Sequence, residues 1–252
     1  MSGRPAVLVI AGSDSSGGAG IVRDLEALAD FDCEALCALS AVTAQTHGQL
    51  VSVHHVPPQI VRTQIRAALE SRAVGAIKIG MLGTGATVSA VAESLPRGGG
   101  IPIVLDPVLL SSSGGVLLDE EGREQMRARL FPLVTVLTPN IPEAASLCGV
   151  APAASREALL EQARSLLTTG VHAVLLKGGH AEGAEAIDLL VTEHDAPQWL
   201  ASPRLRARCR GTGCALASAI AAGLASGQSV EDACRNGKEY VLSMLYARAP
   251  AG

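Results

Sequence analysis

Apolar runs of strand length alternate with longer helical patterns along nearly the whole chain. The apolar runs are AVLVIAG (6–12), AIKIGM (76–81), IPIVLDPV (101–108), VTVLTP (134–139) and HAVLLKGG (172–179). They are mostly continuous, which is typical of parallel strands buried on both faces. Helices are predicted between them, at about 18–30, 57–72, 85–95, 120–130, 142–148 and 155–169. We therefore predict an α/β protein with a mostly parallel sheet and helices on both sides.

Two later segments of the chain are more polar than these runs. They are EAIDLLV (185–191) and QWLASPRLRARC (198–209), and we interpret them as a pair of strands near a sheet edge. The sequence has no Pro/Gly/Ser-rich linker, repeat or low-complexity block, and open α/β sheets often reach this length within one domain. We therefore predict one domain over residues 1–252. Because the chain stops shortly after its last helical pattern, we expect no fused second enzyme domain.

Composition and charge narrow the classes of protein that fit this pattern. Apolar residues make up 48% of the chain but aromatic residues only 2%, so Ala, Val, Leu and Gly must fill the core. The net charge of -4 gives no general attraction to nucleic acid or anionic lipid. The basic cluster PRLRARCR (203–210) has no stacking aromatic residues, and we interpret it as a solvated strand. We expect no nucleic-acid partner.

Cysteine usage and hydropathy indicate a reducing compartment. The cysteines form no C-x-x-C pair and have no histidines at zinc spacing, and most look like small core residues. They lie at positions 33, 37, 148, 209, 214 and 234. The N-terminus has no signal-peptide features, and the longest apolar stretch, 215–225, is too short and too rich in Gly and Ser to span a bilayer. We expect a cytoplasmic protein with no membrane partner.

Polar or glycine-rich residues follow each predicted core strand. They are GSDSSGGAG (12–20), Met81, DPVLLSSSGG (106–115), PNIPE (139–143) and KGGH (177–180). Ligands of open α/β sheets bind beyond the carboxyl ends of the strands, so a site is predicted there. The first segment matches neither the Walker A nor the dinucleotide-binding spacing. Its N–H groups can surround an anion or the polar edge of a small molecule, but a plain strand-to-helix turn also fits.

Asp106 and Glu143 are carboxylates just after buried strands, each beside a proline. Mg²⁺ is usually held by carboxylates together with substrate phosphates, so both are candidate magnesium ligands. Glu143 also fits a structural role in the first turn of a helix, with Asn140 as its cap. Lys177 ends another apolar strand. It can reach a nucleotide phosphate or extend to solvent along its aliphatic stem.

The segment CRGTGCALASAIAAGLASG (209–227) predicts a glycine loop followed by a helix of small residues that can pack close to the sheet. Gly211, Thr212 and Gly213 bring unpaired N–H groups and the positive end of a helix dipole together. That geometry suits the negative charge on a phosphoryl group during its transfer. Cys214 in the first turn should have a depressed thiol pKa, although it also fits as a small residue filling a tight corner.

Together these segments resemble the hydroxymethylpyrimidine/phosphomethylpyrimidine kinases of thiamine biosynthesis, which are members of the ribokinase-like superfamily. The matching segments are AGSDSSGGAGIVRDL, ALSAVTAQT, AIKIGML, VLDPVLLSSSGG, LTPNIPEAASL, LLKGGH and GTGCALASAIAAGLASG, in the family's order from residue 6 to residue 242. The resemblance implies a three-layer α/β/α sandwich, a homodimer, and the use of ATP and Mg²⁺. It implies two steps, phosphorylation of 4-amino-5-hydroxymethyl-2-methylpyrimidine and then of its monophosphate to the pyrophosphate.

The resemblance also implies roles for individual residues. Gln45 matches the side chain that hydrogen-bonds the aminopyrimidine, and the lining of that pocket is matched by Gly12, Asp24, Met81 and Val108. The magnesium and phosphate region is matched by Asp106, Glu143 and Asn140. ATP phosphate binding is matched by Lys177 and the Gly211–Gly213 loop, which includes Thr212.

Cys214 stands where sugar-kinase relatives have a catalytic aspartate. An attacking alcohol benefits from a base, whereas the phosphate acceptor of the second step is already ionised and needs none. An aspartate would repel that acceptor, so we hypothesise that the thiol serves both steps. Three features depart from the family pattern: PVLLSSSGG (107–115) lacks a lysine before its Ser-Gly, Arg210 replaces a common histidine, and QTHG (45–48) replaces a turn that usually contains asparagine.

Two other functions stay open at this point. A pyridoxal-type kinase phosphorylates a hydroxymethyl group on a similar ring, but some relatives that accept pyridoxal have a second cysteine in the lid, where this chain has Ser111, Ser112 and Ser113. A non-catalytic pyrimidine-binding protein would be expected to lose charged site residues or the Gly-Thr-Gly loop, and all are present. Lys238, in the last helical pattern, is predicted to face solvent rather than the nucleotide.

Overall fold

The computed structural model describes residues 3–46, 48–96, 98, 100–111, 114–178, 184–205 and 209–248. The strands in this part of the chain are β1 (Ala6–Asp14), β2 (Glu34–Gln45), β3 (Leu50–His55), β4 (Ala76–Ile79), β5 (Ile103–Leu105), β6 (Val136–Leu137), β7 (Ala173–Leu176), β8 (Glu185–Thr192) and β9 (Gln198–Pro203). They form one sheet in the order β3-β2-β1-β4-β5-β6-β7-β8-β9. The six strands from β2 to β7 in this order are parallel, and β3, β8 and β9 are antiparallel to their neighbours. The prediction of a mostly parallel sheet is confirmed.

The helices agree closely with the periodicity of the sequence. They are α1 (Gly20–Asp30), α2 (Pro58–Ser71), α3 (Gly85–Ser94), α4 (Glu120–Gln125), α5 (Ile141–Cys148), α6 (Arg156–Leu167), α7 (Thr212–Ala225) and α8 (Val230–Tyr246). The predicted helix at 120–130 is α4 followed by a π-helical segment at Met126–Leu130. Across the described residues, every helix is too short or too polar to cross a membrane.

Successive residues of β1 face two different cores. Leu8 and Ile10 pack in a core covered by helices α2, α3, α5 and α6, whereas Val7 and Val9 pack in a core covered by α1, α7 and α8. Side chains alternate between the faces of a strand, so a strand that is apolar at every position needs helices on both sides. The three-layer α/β/α arrangement follows from this requirement.

The hydrophobic pattern does not predict β2 and β3. These strands form an antiparallel hairpin at one edge of the sheet, where β2 is buried at only some positions and β3 at none. Strands with a solvated face carry polar residues and lack the continuous apolar run that identifies a central strand. The omission matters for function because β2 ends at Gln45.

Helix α7 approaches the sheet closely because its residues are small. Residues 215–223 are all buried, and a Cβ added to Gly75, just before β4, would lie 3.1 Å from the Ala225 side chain. At the opposite end of α7, a Cβ added to Gly213 would lie 3.2 Å from Lys177 Nζ. The N-terminus of α7 therefore reaches the carboxyl edge of the sheet, as its composition predicted.

The sheet has its topological switch point at β1. This strand lies between β2 and β4, and the later strands continue outward from β4. Ligand crevices of open α/β sheets form at such a point, beyond the carboxyl ends of the strands. The glycine-rich loop that follows β1 opens onto this crevice, and Gly20 at its end has a left-handed φ of 60°.

Gly20→Ala is expected to destabilise the protein more than Gly149→Ala. Both glycines have a left-handed φ, but only at Gly20 would a Cβ overlap a backbone atom, the carbonyl oxygen of Gly12. In the described part of the chain, nothing lies within 4 Å of a Cβ at Gly149, whose φ is 69°. Gly149→Ala should therefore lose about 1–2 kcal/mol of unfolding free energy from backbone strain alone. Urea denaturation compares the two variants, and equal losses would contradict the predicted overlap.

Candidate functional site

The loop before α7 lies against the glycine-rich loop after β1. Gly211 has a left-handed φ of 75°, and a Cβ there would lie 2.5 Å from the Gly18 carbonyl oxygen and 3.0 Å from Arg23 Cγ. Only glycine fits such a position without strain. The N–H groups at the start of α7 and the positive end of its dipole therefore face the crevice at the switch point.

Asp106 and Lys177 form an ion pair beneath this helix terminus. Lys177 Nζ donates to Asp106 Oδ1 at 2.7 Å, and the side chains are 15% and 4% exposed. A Cβ on Gly213 would lie 3.4 Å from Asp106 Oδ2. Lys177 thus does not extend to solvent in this structure. The charge at the end of β5 is balanced by the charge at the end of β7, and both lie within reach of an anion at the helix terminus.

Glu143 and Asn140 form a reciprocal cap at the start of α5. Glu143 N donates to Asn140 Oδ1 at 2.8 Å, and Asn140 N donates to Glu143 Oε2 at 2.8 Å. The structural role considered for this pair is confirmed. Burial raises the pKa of Glu143 to about 7; the Lys177 charge opposes this shift and Asp106 reinforces it. The pKa of Glu143 therefore depends on the nearby charges of Asp106 and Lys177 as well as on burial.

Asp106 and Glu143 fit a magnesium ion that arrives with a nucleotide. Both carboxylates interact with Lys177, and within the described ranges no group of three or more potential metal ligands occurs. Mg²⁺ typically takes one or two protein carboxylates and completes its shell with phosphates and water. Asp106 and Glu143, beside the N-terminus of α7, meet that requirement.

Cys214 has a protonated thiol at neutral pH, so the expectation of a depressed pKa is wrong. Burial raises the thiol pKa to about 11, while Lys78 and the Gly20 N–H act against this shift. Asp24 and Asp106 add to the increase. The favourable helix terminus is outweighed because the protein around the sulfur removes water that would solvate a thiolate.

A buried ion pair lies under the same face of α7. Lys78 Nζ donates to Asp24 Oδ1 at 2.7 Å, and neither side chain is exposed. Ser218, one turn after Cys214, donates to the same oxygen at 2.8 Å. Burial alone would lower the pKa of Lys78, but Asp24 and the other acidic groups nearby together outweigh burial and raise that pKa. In this structure Asp24 therefore lies beneath the crevice, which corrects the expectation that it lines an open pocket.

The sequence motifs do not identify Lys78 as a site residue. The sequence does contain one indication of its importance, a charged residue inside the otherwise apolar segment AIKI. In the structure all four residues of this segment are buried. A charge is rarely fully buried unless it is paired, so the segment by itself indicated an acidic partner. It did not identify Asp24, which is 54 residues away in sequence.

The residues assigned to the pyrimidine pocket lie beside the glycine-rich loop. Met81 and Val108 share an apolar cluster with Ala41 and Leu117, and a Cβ on Gly12 would lie 2.9 Å from Met81 Sδ. Gln45, at the end of β2, is joined to the loop by Ser15, whose hydroxyl accepts from Gln45 N at 2.9 Å and donates to Gln45 O at 3.0 Å. The residues predicted to form the pyrimidine pocket are thus linked to the glycine-rich loop.

The segment after Asp106 folds back towards β3. Leu110 and Val116 pair as an antiparallel bridge, and Ser111 N donates to the Gly115 carbonyl at 2.7 Å. A Cβ on Gly115 would lie 3.0 Å from a Leu50 methyl carbon. The turn is therefore close to the start of β3. Ser112 and Ser113, which were part of the lid prediction, lie outside the described residues.

Lys238 does not face solvent, so that prediction is wrong. Its Nζ donates to Asp188 Oδ2 at 2.7 Å and to the Ala186 carbonyl at 3.0 Å. Asp188 Oδ1 in turn accepts from Gly178 N at 2.8 Å. Lys238 therefore stabilises the backbone that directly follows Lys177. This role depends on the packing of α8 beside β8, which the helical pattern did not reveal.

The fold and site define a kinase of the ribokinase-like class, with a lysine–carboxylate pair and a glycine-flanked helix terminus at the carboxyl edge of a mostly parallel sheet. A family model described as phosphomethylpyrimidine kinase matches residues 14–252. The hydroxymethylpyrimidine/phosphomethylpyrimidine kinase of Streptomyces coelicolor is 43% identical over 249 residues, covering 98% of this chain and 91% of that protein. The chain belongs to the phosphomethylpyrimidine kinase family.

Two solved structures have the same fold. The phosphomethylpyrimidine kinase of Clostridium difficile 630 has a TM-score of 0.83 and 33% identity, covering 96% of this chain and 99% of that chain. The Staphylococcus aureus pyridoxal kinase in complex with AMP-PCP and pyridoxal has a TM-score of 0.88 and 30% identity. The match covers 97% of this chain and 88% of that chain. Kinases named for two different acceptors thus share this architecture, and the fold alone does not select one.

Lys78→Met is expected to destabilise the protein by about 3–5 kcal/mol, because it leaves the Asp24 carboxylate buried without its counter-charge. The double variant Lys78→Met/Asp24→Leu should recover most of this loss, since an apolar pair of similar volume often replaces a buried ion pair. Urea denaturation at neutral pH measures both. Parental stability in the single variant would show that Lys78 does not neutralise Asp24.

Proposed function

We propose that the protein transfers a phosphoryl group from Mg-ATP to 4-amino-5-hydroxymethyl-2-methylpyrimidine, and a second one to the resulting monophosphate, as part of thiamine biosynthesis. The observation that supports this proposal is the packing of the Gly211–Gly213 loop: Gly213 lies close to the Asp106–Lys177 pair, and Gly211 lies against the glycine-rich loop, whose Gly12 contacts Met81. We infer that this loop and the residues predicted to hold the pyrimidine, Gln45 and Met81, border one crevice. Family membership supports the same reaction.

The half of the crevice proposed to hold the phosphate donor, ATP, offers groups that bind phosphate oxygens. The amides of Thr212 and Gly213 at the start of α7 would bind phosphate oxygens, and Lys177 would exchange its bond to Asp106 for one to the nucleotide. Asp106 and Glu143 would hold Mg²⁺, which neutralises charge on the transferred group. Asn140 would keep Glu143 in place through the cap at α5.

The acceptor half offers an amide and an apolar surface. Gln45 would hydrogen-bond the aminopyrimidine, while Met81 and Val108 would contact its apolar atoms and Gly12 would leave room for the ring. Asp24 would not contact the pyrimidine directly. It would lie buried beneath the pocket and hold Lys78 in place through their hydrogen bond. The hydroxymethyl group would then point towards the N-terminus of α7.

A neutral Cys214 fits both phosphoryl transfers. The thiol carries no charge at neutral pH because burial raises its pKa to about 11. It therefore would not repel an acceptor that already bears a phosphate. Phosphoryl transfer relies mainly on positioning and charge stabilisation, so the first step does not require a strong base at this position.

A pyridoxal-type kinase is the second candidate. The similarity to the S. aureus pyridoxal kinase supports it. The serines at 111–113 argue against it, because some relatives that accept pyridoxal carry a cysteine in that segment. A non-catalytic binding protein is the least supported, since the charged residues are present and Asp106 and Lys177 are paired.

We also propose that residues 1–252 form one kinase domain. The protein would act in the cytoplasm as a homodimer. All six cysteines are free thiols, which fits a reducing compartment. Exposed valines on the edge hairpin, Val42 on β2 and Val51 on β3, support a partner surface there. Sedimentation equilibrium of the purified protein measures the oligomeric state.

A mass-spectrometric time course with Mg-ATP is expected to show two successive phosphate additions to the hydroxymethylpyrimidine. Pyridoxal, offered in a separate reaction, should gain phosphate much more slowly or not at all. Reactions without Mg²⁺ or without ATP are the controls. A single addition, or turnover of pyridoxal alone, would overturn the two-step proposal. No turnover of either acceptor would favour the non-catalytic alternative.

Cys214→Asp is expected to slow the second phosphorylation by about tenfold or more relative to the first, because the carboxylate and the acceptor phosphate repel at short range. Cys214→Ser, which stays uncharged, should preserve the ratio of the two rates. Cys37→Ser, at an exposed cysteine, is the matched control. If Cys214→Asp performs the second step as fast as the parent, the two-step role of the thiol is wrong.

A further inference from the structure

Arg210 lies directly before the Gly211–Gly213 loop, and its guanidinium turns back into the protein. Arg210 Nη1 donates to Ser16 Oγ at 3.1 Å and to the Thr46 carbonyl at 2.9 Å. Arg210 Nη2 lies 3.3 Å from Asp14 Oδ2, and the two side chains are 19% and 5% exposed. The interpretation of the basic cluster as a solvated strand is therefore wrong for Arg210. Residues 206–208 of that cluster lie outside the described residues.

Besides pairing with Arg210, Asp14 stabilises the conformation of the glycine-rich loop. Its Oδ1 accepts from Ser16 N at 2.9 Å and from Ser16 Oγ at 2.8 Å. Its carbonyl accepts from Gly17 N at 3.0 Å. The guanidinium thus binds a turn whose shape is already fixed by the same carboxylate. We call Arg210, Asp14, Ser16 and Thr46 the Arg210 clamp.

The clamp joins three segments that border the crevice. Asp14 and Ser16 belong to the glycine-rich loop, Thr46 follows Gln45, and Arg210 precedes the helix-terminus loop. Ser15 adds a second tie between the glycine-rich loop and the Gln45 backbone. Movement of the helix-terminus loop relative to the end of β2 would therefore break bonds at Arg210.

We propose that Arg210 is a positioning residue that sets the distance between the acceptor pocket at Gln45 and the phosphate loop at Gly211–Gly213. This inference rests on the proposed function of the crevice. The planar guanidinium donates in several fixed directions at once, which a single ammonium or imidazole cannot reproduce. Transfer between two bound groups is sensitive to their separation, and a misplacement of about 1 Å can reduce the rate about 100-fold.

The primary experiment compares the steady-state kinetics of Arg210→Ala and Arg210→Lys with those of the parent. Arg210→Ala should lower kcat by about 10- to 100-fold, because the two halves of the crevice lose their fixed separation. The KM for Mg-ATP should change by less than about threefold, since the amides and Lys177 are intact. Arg210→Lys should recover part of the loss. Arg66→Ala, at an exposed arginine of α2, should behave as the parent.

A double-mutant cycle separates positioning from general stability. Asp14→Asn should lower kcat in the same way as Arg210→Ala, and the double variant should be no slower than the slower single variant, because both changes break one clamp. Hydrogen exchange of peptides covering 12–20 and 45–50 should accelerate in each variant. Melting temperatures, recorded alongside, identify any variant that loses activity only by unfolding.

Parental kcat in both Arg210→Ala and Asp14→Asn would overturn the proposal. So would an additive double variant, or a loss of kcat that follows the melting temperature and leaves hydrogen exchange in the two peptides unchanged. The kinetics are measured with whichever acceptor the parent phosphorylates. If the parent accepts only pyridoxal, the proposed function fails, and the effect of Arg210 on kcat still tests the clamp with that alcohol.

Discussion

The close approach of α7 to the sheet is the constraint on which the crevice depends. Residues 215–223 of the helix are buried, and their small side chains let its N-terminus reach the carboxyl ends of β5 and β7. A Cβ on Gly213 would lie 3.2 Å from Lys177 Nζ, so a larger residue there would require the lysine amine to shift by a few tenths of an ångström. A helix of Leu and Phe would stand farther from the sheet, and its dipole and free N–H groups would no longer act on the same volume as the lysine–carboxylate pair.

Buried charges beneath that helix are arranged as pairs. Lys78 neutralises Asp24 in the interior, and Lys177 neutralises Asp106 at the edge of the crevice. The first pair has no access to solvent, whereas the Lys177 side chain of the second pair is partly accessible. Cys214 lies close to both pairs and remains protonated, because the surrounding protein desolvates the sulfur more than the cations stabilise a thiolate.

Acceptor choice depends on features that the fold does not dictate. Kinases named for a pyrimidine and for pyridoxal share this architecture, so the difference must lie in the side chains around the ring and in the segments that hold them. In this chain the end of β2 is bonded to the glycine-rich loop through Ser15 and Arg210. The position of the end of β2 is thereby linked to the loop before α7, although the two segments are distant in sequence.

The sequence by itself determined the parallel core strands, most of the helices, the small-residue helix at the site and the gathering of polar residues at strand ends, because hydrophobic period and glycine placement are local properties. It did not determine the edge strands β2 and β3, whose polar faces resemble loops. Nor did it determine the partners of Lys78, Lys177 and Arg210, which lie 54, 71 and 194 residues away. Those bonds, and the raised pKa of Cys214, arise from burial and charge proximity, which exist only after the helices pack on the sheet.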